Sequence, residues 1–256
     1  MGGLDSVLRI LLYGREPYAA RLEDLPMANI ELTRHDQVFV LHMKQDENRY
    51  NPDFLKAVGE ALDEVEAVDG PRALVTTGEG KFYSNGLDLE YISQLSQSEV
   101  LQFLCDVHGL FARVLAFPGY TVAAMNGHAF AGGAMLALAH DARVMRSDRG
   151  YFCLPEIDLG MPFTGGMSAL IADRMSAAAV RATVLTGARL SAADAMQLGI
   201  VDGIAEESQV VGDALGRATA LAGKNGATLR LIKEGFYRET LKLLRSDEGA
   251  NLPRVP

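Results

Sequence analysis

The chain has 256 residues, of which 48% are hydrophobic and 22% are charged. This composition excludes a disordered protein and allows one sizeable hydrophobic core in an α/β domain. The net charge of −9 leaves no broad electropositive surface, so we expect no nucleic-acid partner.

The first stretch of the chain, residues 1–29, is predicted to be an N-terminal extension. It mixes arginines with acidic residues and has neither a continuous apolar run nor a small-residue cleavage site, which argues against a signal or transit peptide. Apolar stretches elsewhere, such as 129–139, are too short to cross a bilayer, so no membrane partner is expected. Cys105 and Cys153 form no CxxC pair and predict buried free thiols in a reducing, cytoplasmic location.

Strand-like and helix-like patterns alternate in the next part of the chain. Short apolar runs predict buried strands at 38–43, 73–77, 121–125 and 142–145. Apolar residues at helical spacing predict helices at 52–68, at 99–116 and in a segment ending at 139. This alternation predicts βαβ units with parallel pairing, and therefore an α/β fold.

The chain becomes mostly helical after Gly160. The pattern predicts helices at 166–174, 176–186, 191–198, 208–222 and 227–244. We expect the tail after Arg245 to be frayed.

Two glycine-bearing loops follow predicted strands. The first is Lys81-Phe-Tyr-Ser-Asn-Gly-Leu-Asp88, and the second runs from Gly127 through Gly132-Gly133 to Asp141. Ligands of open parallel sheets collect beyond the carboxyl ends of the strands, and a helix that begins there has unpaired N–H groups in its first turn. Gly132-Gly133 fits such a ligand-binding turn, although the same glycines would also allow close packing of a helix on a strand.

Four segments of the chain, in this order, resemble motifs of the crotonase (enoyl-CoA hydratase/isomerase) superfamily. The first loop resembles the oxyanion loop of that family, and the second resembles its Gly-rich strand–helix turn. Leu154-Pro-Glu-Ile-Asp-Leu-Gly160 is similar to its PE-x-x-x-G stretch, and residues 185–201 are similar to its late helical signature. The resemblance spans residues 30–205 and implies a crotonase-like ββα spiral core, followed by a helical C-terminal region at 206–256.

The ligand and the assembly are also implied by this resemblance. The substrate would be an acyl-CoA thioester, with CoA as part of the substrate and no separate cofactor. The family commonly forms trimers or dimers of trimers, so a homotrimer or hexamer is expected. No group of His, Cys, Asp and Glu has metal-ligand spacing, and we expect no metal.

The family's two oxyanion N–H groups map onto Leu87 and Gly132. Removal of a proton next to a thioester places negative charge on the carbonyl oxygen, and a preorganised donor there is worth about 10²–10³ in rate. The substrate-binding residues that the resemblance implies are Ser84, Asn85, Gly86, Leu87, Asp88 and Gly132.

The carboxylates distinguish the possible reactions. Hydratases of this superfamily carry two glutamates, of which the first maps onto Met135 and the second onto Glu156. A thioether cannot exchange protons, whereas general acid–base help is worth about 10²–10⁴ in rate. A single Glu156 implies a proton shuttle that moves the double bond of a 3-enoyl-CoA to the 2-position. Residues 84–89 and 140–150 also resemble the monofunctional Δ3-Δ2-enoyl-CoA isomerases.

Other polar residues have simpler interpretations. Asp88 is expected to be a loop or cap carboxylate, and His128 and His140 are expected to be structural hydrogen-bonding groups. A salt bridge or a helix cap is the structural alternative for Glu156. In an extended segment Asp158 would share a face with Glu156, which makes it a candidate substitute or helper.

Three hypotheses about function stay open at this point. The first is an isomerase with Glu156 as the base. The second is another crotonase reaction, such as a hydratase that uses Asp158, a thioester hydrolase or a decarboxylase. The third is a non-catalytic acyl-CoA-binding homologue.

Overall fold

The structure is a computed structural model that describes residues 30–253, so the predicted extension at 1–29 lies outside the described residues. In this range the chain forms eleven strands: β1 (Ile30–His35), β2 (Val38–Met43), β3 (Arg49–Tyr50), β4 (Ala73–Gly78), β5 (Phe82–Ser84), β6 (Gly86–Leu87), β7 (Tyr120–Met125), β8 (His128–Phe130), β9 (Ala142–Arg146), β10 (Phe152–Cys153) and β11 (Gly203–Ala205). The same range forms twelve helices: α1 (Pro52–Glu66), α2 (Leu89–Ile92), α3 (Gln97–Leu115), α4 (Gly132–Ala139), α5 (Glu156–Leu159), α6 (Gly165–Arg174), α7 (Ala177–Thr183), α8 (Ala192–Gln197), α9 (Val210–Ala222), α10 (Gly226–Phe236), α11 (Arg238–Leu244) and α12 (Asp247–Ala250). None of these helices combines the length and the apolarity that a bilayer crossing requires.

Six strands form the main sheet, in the order β1-β2-β4-β7-β9-β11. Strands β1 and β2 form an antiparallel hairpin with a two-residue turn, in which Asp36 has a left-handed backbone (φ 55°). The other pairs are parallel, with Val40 opposite Val75 and Val75 opposite Val122. The four predicted strands and their parallel pairing are confirmed, and the edge strands β1 and β11 are two additional strands that were not predicted.

The main sheet is covered by apolar side chains on both faces. Val40, Val75 and Val122 belong to one apolar layer, which packs against α9. Leu41 and Leu74, their neighbours in sequence, belong to the larger apolar cluster on the opposite face. Parallel strands that are buried on both faces have nearly continuous apolar sequences, which is why these strands could be located from the sequence.

Two small parallel sheets hold the glycine-bearing loops in place. One has the order β10-β8-β5, and the other pairs β3 with β6. Strand β6 lies within the first loop, and β8 is followed by α4 in the second loop. Both loops are therefore fixed by strand pairing on the same side of the molecule as the cavity described below.

The mostly helical C-terminal region is confirmed, with one difference in its helices. The predicted helix at 227–244 is two helices, α10 and α11, which meet at Tyr237 (φ −101°, ψ 24°). The Arg174 guanidinium lies 5.3 Å from the centroid of the Tyr237 ring and donates a hydrogen bond to its hydroxyl. This tertiary contact holds Tyr237 against the core where α10 and α11 meet. The spacing of apolar residues along the sequence does not reveal such a contact, so one continuous helix was predicted.

The prediction of a frayed tail is wrong for residues 246–253. The Ser246 hydroxyl caps α12 by accepting a hydrogen bond from Gly249 N at 3.1 Å. Ala250 is fully buried, and Leu252 packs against the main apolar cluster. The polar composition of this stretch therefore marks a capped helix that is docked on the core.

Candidate active site

A cavity of about 300 Å³ lies between the two glycine-bearing loops and helices α3, α5 and α6. Leu87 of the first loop, Gly132 of the second loop and Glu156 of α5 all line it. The fold thus brings the three predicted catalytic residues to one place, while their catalytic roles remain a prediction.

The Leu87 amide is left free by the pairing of β3 with β6. Along a paired strand, backbone groups alternate between facing the neighbouring strand and facing away from it. Asp88 N donates to Tyr50 O at 3.0 Å, so the preceding N–H, that of Leu87, points away from β3. The ladder with β3 therefore does not use this N–H, and Leu87 lines the cavity.

The second candidate donor lies at the start of α4. The first intrahelical bond runs from Met135 N to Ala131 O at 3.0 Å, so the N–H groups of Gly132 and Gly133 have no acceptor in their own helix. The partial positive charge of a helix N-terminus favours an anion at this point. Ala131 has φ 48° and ψ −120°, a conformation that residues other than glycine rarely adopt, so the backbone is strained next to the Gly132 donor.

Tyr50 connects the two candidate donors. Its backbone pairs with Leu87 in the β3–β6 ladder, and its buried hydroxyl donates to Gly132 O at 3.0 Å. Its ring lies against Gly132, because a Cβ there would be 3.0 Å from Tyr50 Cε2. Tyr50 was not among the predicted residues, since its contact with Gly132 spans 82 positions of the chain and no local motif marks it.

Glycine is required where the two loops touch. Gly86 has φ +77°, and a Cβ on it would come within 2.6 Å of Gly132 N. A Cβ on Gly133 would lie 2.2 Å from Ser84 O. The packing interpretation of Gly132-Gly133 is therefore correct, while ligand binding at these glycines stays a prediction.

Glu156 is the first residue of α5, and only 7% of it is exposed. Its Oε2 atom is buried without a hydrogen-bond partner in residues 30–253, and no salt bridge reaches it from those residues. The salt-bridge alternative for this residue is therefore wrong within that range. Burial raises the pKa of Glu156 to about 7, so its carboxyl group can both take up and release a proton near neutral pH.

Glu156 is the one carboxylate among the described residues that line the cavity. Met135 lines it as well, at the position predicted to replace the first glutamate of the hydratases. Two arginines that were not predicted, Arg49 and Arg189, are the cationic side chains of the described lining. In residues 30–253, no three His, Cys, Asp or Glu side chains form a group that could hold a metal ion.

Two members of the predicted substrate-binding loop face the cavity. Asn85 and Leu87 line it, together with Gly132. The Asn85 side chain donates to Glu47 Oε2 at 2.7 Å, and Asn85 N donates to Glu47 O at 2.9 Å. Glu47 thus anchors the loop through both the backbone and the side chain of one residue.

The other three predicted loop residues support the loop from outside the cavity. Ser84 is buried and donates to Asn48 O at 2.8 Å, while Gly86 packs against the second loop. The Asp88 carboxylate caps α2 by accepting hydrogen bonds from backbone N–H groups of its first turn. The cap interpretation of Asp88 is confirmed, and direct substrate contact by Ser84, Gly86 and Asp88 is not supported, because none of them lines the cavity.

The expectation that Asp158 shares a face with Glu156 is wrong. The segment is the short helix α5, in which residues two apart point in different directions. Asp158 is exposed outside the cavity, and its carboxylate lies against Gly187, where a Cβ would be 2.4 Å from Asp158 Oδ2. Asp158 therefore cannot stand in for the missing glutamate.

His140 makes the structural hydrogen bonds that were predicted for it, whereas the prediction is not met by His128, whose Nδ1 is buried without a partner in residues 30–253. Buried His140 donates from Nδ1 to Leu136 O at 2.8 Å, and its Nε2 lies 2.9 Å from Thr76 Oγ1. Burial lowers the pKa of His140 to about 3, so the ring is neutral and Nε2 accepts from the Thr76 hydroxyl. The His128 ring packs against the Phe130 ring, with 4.9 Å between centroids.

Residues 33–250 match the model of the enoyl-CoA hydratase/isomerase family. The chain belongs to this family. It is 34% identical over 223 residues to enoyl-CoA delta isomerase 3 of Arabidopsis thaliana, a match that covers 83% of this chain and 94% of the relative. The structure of human mitochondrial delta3-delta2-enoyl-CoA isomerase has a TM-score of 0.79 at 27% identity, covering 87% of this chain and 88% of that one. The crystal structure of an enoyl-CoA hydratase from Mycobacterium ulcerans has a TM-score of 0.76 at 25% identity, covering 86% and 96%.

The predicted family and the crotonase-like α/β fold with a helical C-terminal region are therefore confirmed. The division of the chain at residues 205 and 206 stays a prediction. Enoyl-CoA hydratase/isomerase proteins that resemble this chain carry names of both activities, so overall similarity does not separate the two reactions. The residues of the cavity are what distinguish them.

Proposed function

We propose that the protein is a Δ3-Δ2-enoyl-CoA isomerase with Glu156 as its single acid–base group. The observation that carries this proposal is the buried Glu156 carboxyl group, whose Oε2 has no hydrogen-bond partner in residues 30–253, in the cavity that Leu87 and Gly132 also line. Met135 occupies the position where a hydratase would have the first of its two glutamates, and a thioether cannot activate water. The similarity to isomerases of Arabidopsis thaliana and human mitochondria supports the same choice.

The proposed reaction transfers one proton along the acyl chain. The thioester oxygen of a 3-enoyl-CoA accepts hydrogen bonds from the N–H groups of Leu87 and Gly132. The Glu156 carboxylate takes a proton from C2, and the electron pair of that C–H bond delocalises onto the thioester oxygen to give a dienolate. The Glu156 carboxylic acid then returns the proton to C4, so the C3–C4 double bond becomes a C2–C3 double bond and no other reactant is consumed.

The surroundings of Glu156 suit this double role. A general acid–base group works best when its pKa lies near the working pH, and burial raises the pKa of Glu156 to about 7. The apolar surroundings also strengthen hydrogen bonds to the charged dienolate, and each preorganised donor is worth about 10²–10³ in rate.

The two arginines that line the cavity support an acyl-CoA thioester as the substrate. Arg49 and Arg189 can attract the phosphate groups of an acyl-CoA thioester, because guanidinium groups bind phosphate well. We place the reaction in fatty acid β-oxidation, where a double bond at the 3-position must be moved to the 2-position before the next step.

We also propose a homotrimer or hexamer, in line with the family resemblance. Leu231, Ile232 and Phe236 of α10 are 73%, 49% and 84% exposed, and exposed apolar groups of this size are typical of association surfaces. The cytoplasmic location and the independence from metals and separate cofactors stay predictions.

The deciding experiment gives purified protein a 3-enoyl-CoA and follows the absorbance of the conjugated 2-enoyl product. We expect turnover by the wild type, and a kcat lower by about 10²–10⁴ in Glu156→Gln, which keeps the shape but not the acid–base group. Asp158→Asn is the matched control, because Asp158 lies on the same short helix but outside the cavity. It should keep the wild-type rate.

Two other outcomes would overturn the proposal. Addition of water to a 2-enoyl-CoA at a rate comparable with isomerisation would indicate a hydratase. Tight binding of acyl-CoA esters with neither reaction would indicate a non-catalytic homologue. In D₂O, a single-group shuttle should also carry a measurable share of the original C2 proton to C4, whereas two separate groups would place deuterium at C4.

A further inference from the structure

We infer that the cavity selects medium-length hydrocarbon acyl chains without polar groups near their far end, and that Leu252 of the C-terminal segment sets the length limit. This rests on the proposed function, because it takes the thioester to lie at the N–H groups of Leu87 and Gly132. It goes further by naming the class of acyl group and a residue that determines specificity.

The polarity of the cavity lining orients the substrate. Arg49 and Arg189 are its cationic side chains, so the CoA phosphates belong on their side. The wall formed by Leu104 of α3, Met167 of α6 and Leu252 carries no charged side chain. The hydrocarbon end of the acyl group therefore belongs against this wall.

Leu252 is held firmly enough to act as a wall. Helix α12, just before it, packs against α3 and α6, which supply the neighbouring wall residues. Ser246 caps this helix and Ala250 is fully buried, so the segment is docked on the core. An acyl chain that reached Leu252 would have to displace this docked segment to extend further.

The same wall offers little hydrogen bonding to a polar substituent, because the hydroxyl of Thr164 already has two partners. Thr164 is its polar side chain, and the Thr164 hydroxyl already accepts from Met167 N at 3.2 Å. The same oxygen lies 2.8 Å from Nε2 of buried His108. A hydroxyl or carboxyl group at the far end of the acyl chain would therefore be buried without a partner, which is unfavourable.

The size of the cavity points to chains of medium length. At roughly 30 Å³ for a group the size of a water molecule, a cavity of about 300 Å³ holds on the order of ten such groups, and the thioester takes up part of this space. Met135, Met161 and Met167 all line it, and flexible thioether side chains adapt to kinked or branched chains. The limit is therefore set by length and polarity more than by the position of a double bond or a methyl branch.

The test measures kcat/KM for a series of 3-enoyl-CoA esters with about 6 to 16 carbons, a range that brackets the volume of the cavity. We expect the wild type to fall steeply beyond about 10 carbons. Leu252→Ala should raise the ratio of kcat/KM for about 14 carbons to that for about 8 carbons by roughly tenfold, and Leu252→Phe should lower it. Leu198→Ala is the matched control, since Leu198 is another half-buried leucine packed on the same core but outside the cavity.

The outcomes separate this inference from the proposed function. An unchanged length profile in Leu252→Ala and Leu252→Phe, equal to that of Leu198→Ala, would overturn it while isomerase activity stands. If the protein has no isomerase activity, the affinities of saturated acyl-CoA esters of increasing length, measured by competition, still show the length limit. The same measurement on Leu252→Ala shows whether the limit moves to longer chains. A saturated ester with a terminal hydroxyl should bind about 10- to 100-fold more weakly than its parent, and equal binding would contradict the apolar wall.

Discussion

The two ends of helix α4 differ in how their backbone groups are satisfied. At its N-terminal end, the N–H groups of Gly132 and Gly133 have no acceptor within residues 30–253. At its C-terminal end, Arg143 donates to the carbonyls of Ala137 and His140, and Arg174 donates to those of Leu138 and His140. Every residue of the helix is buried, so neither end can rely on bulk water.

This difference shows where the fold leaves room for a ligand. An unpaired buried backbone group costs about 1–3 kcal/mol, so both ends should be satisfied if the helix had only a structural role. Two guanidinium groups satisfy the acceptors at the closed C-terminal end and also stabilise the negative end of the helix dipole. At the open end Gly132 lines the cavity, where its N–H group could donate a hydrogen bond to a substrate anion.

Among changes at the two ends of α4, the largest effect is expected from closing the open end with Gly133→Ala. The new Cβ would lie 2.2 Å from Ser84 O, so the first loop, which carries Leu87, must move away from α4. We expect kcat/KM for a 3-enoyl-CoA to fall by about 10²–10³, the value of a lost oxyanion donor. Gly109→Ala on α3 is the control, because a Cβ there meets nothing within 4 Å. An unchanged kcat/KM in Gly133→Ala would show that the two loops do not form the oxyanion site.

A substitution at the closed C-terminal end of α4 should lower the stability of the fold and leave the catalytic rate nearly unchanged. Arg174→Met removes the donor for Leu138 O and leaves His140 O with fewer bonds, so we expect the free energy of unfolding to fall by about 2–4 kcal/mol. Urea denaturation measures this loss, and the kcat of the folded enzyme should stay within about threefold of wild type. Arg181→Met, at an exposed position on α7, should change stability by less than about 0.5 kcal/mol. A large loss of kcat without a loss of stability would mean that the closed end also takes part in the reaction.

The open end of α4 could be located from the sequence, but the way it is held could not. Gly132 and Glu156 lie in segments that resemble motifs of the family, and it was this resemblance, more than residue spacing, that predicted that they meet. The contact of Tyr50 with Gly132 spans 82 positions, and no local pattern encodes it. The strained backbone of Ala131 runs against the preference of alanine, so only tertiary packing explains it.

The C-terminal segment shows the same limit of sequence reasoning. Its acidic and glycine-containing composition is typical of a frayed end, and it gives no apolar stripe long enough to predict a docked helix. The cap at Ser246 is a local feature, but the burial of Ala250 and the placement of Leu252 in the cavity depend on α3 and α6. The burial of Ala250 and the position of Leu252 are therefore both determined by contacts between elements that are distant in the sequence.

The pH dependence of activity should follow the group at the open end. Burial raises the pKa of Glu156 to about 7 and lowers the pKa of His140, near the closed end, to about 3. Glu156 must be ionised to take the C2 proton, so kcat/KM should fall about tenfold for each pH unit below 7 and level off above it. His140 stays neutral throughout and should contribute no second step between pH 5 and 8. A kcat/KM that is flat over this range would exclude Glu156 as the base.

The smallest effect expected is also the most selective, because Tyr50→Phe deletes a single oxygen between the two candidate donors. The Tyr50 hydroxyl donates to Gly132 O at 3.0 Å, while its backbone pairs with Leu87. Phenylalanine keeps the ring stacked on Phe54, so the loss is confined to one hydrogen bond, worth about 1 kcal/mol of stability. We expect kcat to fall about tenfold with KM nearly unchanged, since the donors act on charge that develops only in the transition state.

Tyr83→Phe is the matched control for this deletion. Tyr83 is also fully buried, and its hydroxyl lies 2.8 Å from Thr76 Oγ1, but it does not line the cavity. It should lose similar stability and keep its kcat. The infrared carbonyl stretch of a bound acyl-CoA thioester separates the two variants further, because hydrogen bonds to the carbonyl lower its frequency. If the carbonyl frequency is lowered less in Tyr50→Phe than in Tyr83→Phe, Tyr50 is the residue that aligns both donors. Equal frequencies and equal kcat values in the two variants would mean that the loop glycines align the donors without Tyr50.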